Sequence, residues 1–293
     1  MNTPGNKFRD AIADNKPLMV VGAVNAYCAK MAEKSGHKAI YLSGAGVANA
    51  SFGLPDLAIT TLNDVAEDSR RITQATNLPL LIDIDTGFGG AFSISRTIKE
   101  MIAADVAAVH IEDQVTQKRC GHRPNKSLVD KIEMNDRIKA AVDARTDDSF
   151  FIMARTDSYA SEGMQGAIDR CNEYISAGAD GLFLEAVSSL EDYKQLKDAL
   201  QVPLLANITE FGKTPLFSAQ ELASVGVDIM LFPLSAFRAM NKAAESVYID
   251  IAENGSQVNS VEKMQTRDEL YEYLNYHSFE QKLDELFKRK ENK

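Results

Sequence analysis

The sequence predicts an α/β protein, a (β/α)8 TIM-type barrel with extra helices at its C-terminal end, and three observations carry that prediction. Short continuous apolar runs alternate with helical stretches along most of the chain, the pattern of parallel strands covered on both faces. Eight such steps fit in about 230 residues, the span of one barrel. Polar and charged residues gather where the strands end, which is where a barrel builds its site. A doubly wound sheet is the alternative arrangement of the same elements. No short-period repeat and no Pro/Gly/Ser linker interrupts the chain. Residues 1–293 therefore read as a single domain that includes a C-terminal helical extension from about 235.

Each element follows from local pattern. Leu18–Val24 is the first apolar run, and Ala26–Ser35 is a helix that Gly36 ends. Lys38–Leu42 is the second strand, followed by a helix from about Thr61 to Thr76. Leu78–Ile84, with Pro79 near its start, is the third, and a helix spans Ser93–Ala104. Val106–Ile111 is the fourth, with a helix near Lys131–Ala144. Phe150–Ala154, Gly181–Leu184, Val202–Ala206 and Val227–Phe232 complete the eight. Beyond them Ser235–Glu253 reads as a helix, and a helical tail runs from about Val261 to Lys290. That tail carries Leu270, Leu274, Phe279, Leu283, Leu286 and Phe287, an apolar stripe to be buried on the barrel itself or on another subunit.

The formal net charge is −10, and no Lys/Arg block offers a basic patch, so a nucleic-acid surface is not expected. An anionic substrate must then be drawn by local cations. Cys28, Cys120 and Cys171 are odd in number and widely spaced, which is neither a disulfide framework nor a zinc pattern. They suit a reducing cytoplasm. The N-terminus, 1–14, is polar, and the first apolar run is too short for a signal core or a membrane span.

The strand ends are rich in chemistry. They offer Tyr41 with Ser43-Gly44-Ala45-Gly46, then Asp83 and Asp85, then His110, Glu112 and Asp113. Arg155 with Asp157, Glu185, and Asn207 with Thr209 follow. One strand-end carboxylate is often a helix cap; six strands ending in this way point to a shared site facing one mouth. Asp83 and Asp85, two apart on a strand, point the same way. With Glu112 nearby they suit a hard cation such as Mg2+, which takes one or two carboxylates and keeps several waters. Two motifs mislead. Gly44-Ala45-Gly46-Val47-Ala48-Asn49 imitates a dinucleotide fingerprint but ends in Asn49. Asp85-Thr86-Gly87 imitates an aspartic-protease triplet on the wrong fold pattern.

Lys118-Arg119-Cys120-Gly121-His122 places a thiol between cations and an imidazole. Such neighbours lower a thiol pKa from ~8.5 towards neutrality. The alternative is a solvated basic loop with an incidental cysteine.

Together these residues resemble the isocitrate lyase/phosphoenolpyruvate mutase superfamily over essentially the full length. The resemblance lies in YLSGAGVANASFGLPDL (41–57), DIDTGFGG (83–90), HIEDQ (110–114), KRCGHRPNK (118–126) and IMARTD (152–157). It continues in LANITEFGKTPLF (205–217), PLSAFRAMN (233–241) and MQTRDELYE (264–272). The cysteine loop marks the lyase branch.

The resemblance implies a barrel whose last helix is exchanged between subunits of a dimer or tetramer. It also implies Mg2+-dependent cleavage of 2-methylisocitrate to pyruvate and succinate. Isocitrate, 2,3-dimethylmalate or oxaloacetate are alternative substrates, and a non-catalytic metabolite-binding barrel is the alternative class. By motif, Asp83 and Asp85 hold the metal with Glu112 in support. Ser43, Gly44 and Ala45 take the pyruvate-side carboxylate, with Arg155 on the same fragment. Asn207, Ile208, Thr209, Arg238 and Arg267 line the succinate side, ordered by Glu185. Cys120 is the proton donor on a closing loop (118–126) that includes Gly121, and His122 tunes the thiol. Tyr41, Asp56 and Glu112 are the candidate bases. Phe183 and Leu231 form the pocket for the substrate methyl group. Ile84 and Leu184 stand where the family favours alanine and proline.

Overall fold

Strand alternation decides which side chains reach the inside of a barrel, so the elements come first. A computed structural model describes residues 2–119, 121 and 126–288. In chain order they are α1 (Pro4–Asp14), β1 (Leu18–Gly22), α2 (Ala26–Lys34), β2 (Ala39–Leu42) and α3 (Gly44–Gly46), which runs into a π-helical turn (Val47–Ser51). Next come α4 (Leu62–Thr73), β3 (Leu80–Asp83), α5 (Ala91–Ala103), β4 (Ala108–Glu112), α6 (Lys131–Asp143) and β5 (Phe151–Thr156). Then follow α7 (Tyr159–Ser176), β6 (Gly181–Leu184), α8 (Leu190–Ala199), β7 (Leu204–Asn207), α9 (Ala219–Ser224) and β8 (Ile229–Phe232). The chain continues through α10 (Ser235–Asn254), a 3-10 turn (Val258–Lys263), α11 (Arg267–Leu274) and α12 (Tyr276–Phe287).

Each strand pairs in parallel with the next, and β1 closes on β8 from Leu18↔Ile229 to Val21↔Phe232. The sheet is a closed (β/α)8 barrel rather than a doubly wound one. Alternation divides its apolar residues into two clusters. Val20, Tyr41, Leu81, Met153, Phe183 and Leu231 point inward, while Ile40, Leu80, Val109, Ile152, Leu182 and Leu204 point out against the helices. The observed strands start one or two residues later than the apolar runs suggest in several cases, because the run begins in the turn below the barrel.

The polar stretch 1–14 forms α1, a helix that hydrophobic period alone does not disclose, since Phe8 and Ile12 are its two large buried side chains. Thr3 caps it by accepting from the Asn6 N–H at 3.2 Å, and Pro4 opens its first turn. Phe8 is fully buried edge-on to Phe151, 5.4 Å between centroids, at the floor of the barrel. Burial of that ring contributes about 1.5–3 kcal/mol.

The chain forms two compact units, 1–237 and 238–293. In the second, the tail is not one continuous helix. A capping box of Thr266 and Glu269 starts α11, and Asn275 in the left-handed region (φ 53°, ψ 39°) separates it from α12. No residue of α10, α11 or α12 is buried, and Phe279, Leu283, Leu286 and Phe287 remain exposed. Among the described residues no helix is long and apolar enough to cross a membrane.

Candidate active site

Inward-facing positions at the C-terminal ends of β2 to β7 converge on one mouth. Tyr41 on β2 and His110 on β4 meet at its base, with the phenol oxygen 2.9 Å from His110 Nε2 and the rings stacked at 5.8 Å. His110 also meets Phe183 of β6 edge-on at 5.2 Å. Burial holds the imidazole down at about 4, so it is neutral at pH 7, although Asp83 pulls the other way. Burial, reinforced by Asp83, pushes the Tyr41 phenol well above its ordinary range.

Asp83 and Asp85 come together by a different route from strand alternation. β3 ends at Asp83; Asp85 lies beyond it with φ at +49°, in the left-handed region. The turn is held by the Asp85 N–H donating to Asp83 Oδ1 at 2.9 Å. Both carboxylates face Gly44, whose N–H donates to Asp83 Oδ2 at 3.3 Å. A Cβ at Gly44 would stand 3.1 Å from Asp83 Oδ2 and 3.2 Å from Asp85 Oδ1, so a side chain there would press both carboxylates out of place by a few tenths of an ångström. Burial resists ionisation of Asp83, but His110, Lys118 and Arg155 hold its carboxyl below the usual range. Asp85 is the opposite: burial and the Asp83 charge push it up to about 7 despite Lys118. Burial likewise raises Glu112 well above the usual carboxylate range, against Arg155 and Lys118.

Arg155 on β5 is nine-tenths buried among carboxylates. Its Nε lies 2.9 Å from Asp157 Oδ2 and 3.3 Å from Glu112 Oε2, and Nη2 lies 3.0 Å from Glu185 Oε2. The guanidinium stands 4.9 Å over the Phe183 ring. Asn207 Nδ2 donates to both oxygens of Glu185 at 3.3 Å. Ile208 and Thr209 follow it, both buried, and Leu231 is buried inside the barrel in the same cluster as Phe183. Ser43 is buried at the cap of α3, with Ala45 in its single turn. Asp113 is the strand-end carboxylate that does not join the mouth. It faces outward, as alternation after Glu112 requires, and accepts from Thr156 Oγ1 (2.6 Å), the Asp157 N–H (3.0 Å) and Tyr174 (2.9 Å).

The segment after β4 supplies two lysines whose carboxylate partners the sequence does not disclose. Lys118 is buried with its ammonium 2.5 Å from Asp56 and 2.7 Å from Asp85, and those charges outweigh the burial that works against it. Lys126 donates to the Gly121 carbonyl at 2.6 Å and to Asp157 at 2.5 Å. A Cβ on Gly121 would collide with Arg155 Nη2 and Glu185 Oε2, so glycine is needed there. Cys120 and His122 lie outside the described residues. Arg238 and Arg267 are exposed on α10 and α11 of the second unit.

Among the described residues, charge at the mouth does not balance. Asp56, Asp83, Asp85, Glu112, Asp157 and Glu185 face the cations Lys118, Lys126 and Arg155. Glu112 Oε2 is buried and receives no hydrogen bond among the described residues. A surplus of buried hard oxygen donors fits a divalent cation. Among the described residues no cluster of three or more His, Cys, Asp or Glu is arranged as a full protein cage. A hydrated Mg2+ on Asp83 and Asp85 does not require one.

The family model described as phosphoenolpyruvate phosphomutase matches residues 8–252. A 2-methylisocitrate lyase of Vibrio cholerae serotype O1 is 61% identical over 97% of this chain and 94% of that protein. Among solved structures, a 2,3-dimethylmalate lyase, described as a PEP mutase/isocitrate lyase superfamily member, superposes with a TM-score of 0.89. It is 34% identical, with 98% of this chain and 96% of that one covered. A phosphonopyruvate hydrolase in complex with oxalate and Mg++ superposes with a TM-score of 0.86 at 25% identity, with 98% and 100% covered.

Proposed function

The chain belongs to the phosphoenolpyruvate mutase/isocitrate lyase superfamily, in its 2-methylisocitrate lyase branch, and we propose that it cleaves 2-methylisocitrate to pyruvate and succinate. It is a carbon–carbon lyase. The observation that carries the substrate reading is the buried Asp83–Asp85 pair at the Gly44 cradle, with Arg155 beside it inside the same mouth.

Mg2+ is the proposed cofactor: Asp83 and Asp85 would hold it with Glu112 in support, and it would supply Lewis acidity to the substrate hydroxyl and adjacent carboxylate. Ser43, Gly44 and Ala45 bind that carboxylate through hydroxyl and backbone N–H groups. The hydroxyl proton goes to a mouth base drawn from Tyr41, Asp56 and Glu112. Its oxygen becomes the pyruvate carbonyl as the C–C bond breaks. The bonding pair leaves with the succinate fragment. Asn207, Ile208, Thr209, Arg238 and Arg267 bind that fragment, Glu185 orders them, and the arginines around it stabilise developing charge, while Arg155 pairs with the oxygens of the pyruvate-side fragment. The Cys120 thiol, with His122 beside it in sequence, gives its proton to the carbanion. Phe183 and Leu231 wall the methyl pocket; one methyl there is worth ~1–3 kcal/mol of selectivity.

The test is pyruvate release from 2-methylisocitrate compared with glyoxylate release from isocitrate, with and without Mg2+. Mg2+-dependent pyruvate is expected. Faster turnover of isocitrate would reassign the substrate, and no product from either would revive a binding protein. We further propose a cytoplasmic homo-oligomer, dimer or tetramer, joined through the C-terminal helices. The uncovered apolar side chains of α12 and the 45% exposure of Met19 on β1 support that reading. A monomeric mass in solution would end it.

A further inference from the structure

We propose that Gln114 is a positioning residue of this mouth: its side-chain amide joins Glu112 to the main chain of Arg119 and thereby seats the Lys118 ammonium on Asp56 and Asp85. Gln114 follows β4 and is 1% exposed. Its Nε2 donates to Glu112 Oε1 at 2.9 Å and to the Arg119 carbonyl at 2.8 Å. Its Oε1 accepts from the Arg119 N–H at 3.0 Å. One side-chain amide thus pairs with both main-chain groups of a single residue, as a neighbouring strand would. The opposite amide orientation would set an oxygen against two acceptors, so the partners themselves dictate the assignment.

The anchor is rigid on its own side. Gln114 bridges Leu128, and flanking main-chain bonds run from Val115 to Ser127 and from Val129 to Asp113 at 2.9 Å each. Arg137 donates to the carbonyls of Gln114 (2.8 Å) and Glu112 (3.0 Å) from behind. Residues 115–119 leave this anchor and are caught again at Arg119. Lys118 is the residue just before the catch. Its Cα is therefore placed by the same amide that orients the Glu112 carboxylate. Glu112 and Lys118 enter the mouth from opposite ends of one short segment, and Gln114 is the link that sets their separation.

The effect on turnover rests on the lyase reading; the seating of Lys118 does not. The experiment uses Gln114→Met, which keeps the volume and removes every hydrogen bond, and Gln114→Glu, which sets a carboxylate against Glu112 and the Arg119 carbonyl. Acetic-anhydride labelling of each lysine is followed by mass spectrometry beside melting curves and steady-state kinetics. Lys118 is expected to label about tenfold faster in both variants, as the segment that carries it loses its tie to Gln114, while Lys197 at the floor is unchanged. The kcat is expected to fall by about 10² with KM within about threefold, the cost of a misplacement on the order of 1 Å. Lys118 labelling as slow as in the parent, in both variants, overturns the proposal. Equal acceleration at Lys118 and Lys197 with a lowered Tm also overturns it, because Gln114 would then serve the fold alone. If the parent itself cleaves nothing, the lyase reading falls, and the ratio of Lys118 to Lys197 labelling still decides the role of Gln114.

Discussion

The two ends of the barrel treat their carboxylates in opposite ways. At the floor, Asp180 is met by Arg9 (2.9 Å), Arg145 (2.8 Å) and the Ile152 N–H (2.9 Å). Asp228 is met by Lys197 (2.7 Å), Lys16 (3.2 Å) and the Leu204 N–H (2.9 Å). Burial resists ionisation of Asp228, yet these partners hold its carboxyl below the usual range. At the mouth, Asp85 and Glu112 are pushed upward, and among the described residues carboxylates outnumber cations. Matched charge at one end is structural glue. At the other end burial pushes carboxyls towards their protonated forms until something positive arrives, since an uncompensated buried carboxylate is costly.

The largest expected effect lies at the mouth. Cys120→Ser should lower kcat by about 10²–10⁴, the usual worth of a positioned general acid, while Mg2+-dependent substrate binding and Tm stay near the parent values. A variant that turns over normally would remove the thiol from the reaction. The floor should behave in reverse. Asp180→Ala removes the carboxylate that half-buried Arg9 and Arg145 share and should cost about 1–2 kcal/mol of stability, read by urea denaturation, with kcat of the folded enzyme unchanged. Loss of kcat without loss of stability would erase the distinction between the two ends.

The smallest effect is a pH dependence. In protein stripped of divalent cations, Asp85 titrates at about 7 when folded and near 3.8 when unfolded. The folded state holds a proton that the unfolded state has shed, so this group's contribution to stability falls as pH rises between those values. Asp228 has the other sign: its contribution is present above the ordinary carboxylate value and is lost as pH falls through its lowered one. Asp85→Asn should therefore flatten the decline in Tm between about pH 4 and 7, and added Mg2+ should flatten it in the parent. An unchanged slope in the variant would mean that Asp85 carries no such strain.

Much of this was legible along the chain. Eight apolar runs and their spacing mark a barrel, because a parallel strand covered on both faces needs a continuous apolar run. Tyr41, Asp83, Glu112, Arg155 and Glu185 stand out as strand-end polar groups. Three features were hidden. Helix α1 shows too few apolar residues for its period to register, and its burial depends on Phe151, far along the chain. Asp113 is indistinguishable from Glu112 until the register of β4 is known. The clasp of Gln114 on Arg119 is a long-side-chain contact across a loop, with no periodicity to announce it.

By itself, then, the sequence determined the order of strands and helices, the residue types at the strand ends and the family resemblance. These depend on local pattern, which a linear chain displays. Tertiary structure alone decided which carboxylates face inward, that Asp85 reaches Asp83 through a left-handed turn, and that among the described residues the mouth holds more carboxylates than cations. Those properties come from burial and through-space distance. Neither exists until residues from six strands are brought within a few ångströms of one another.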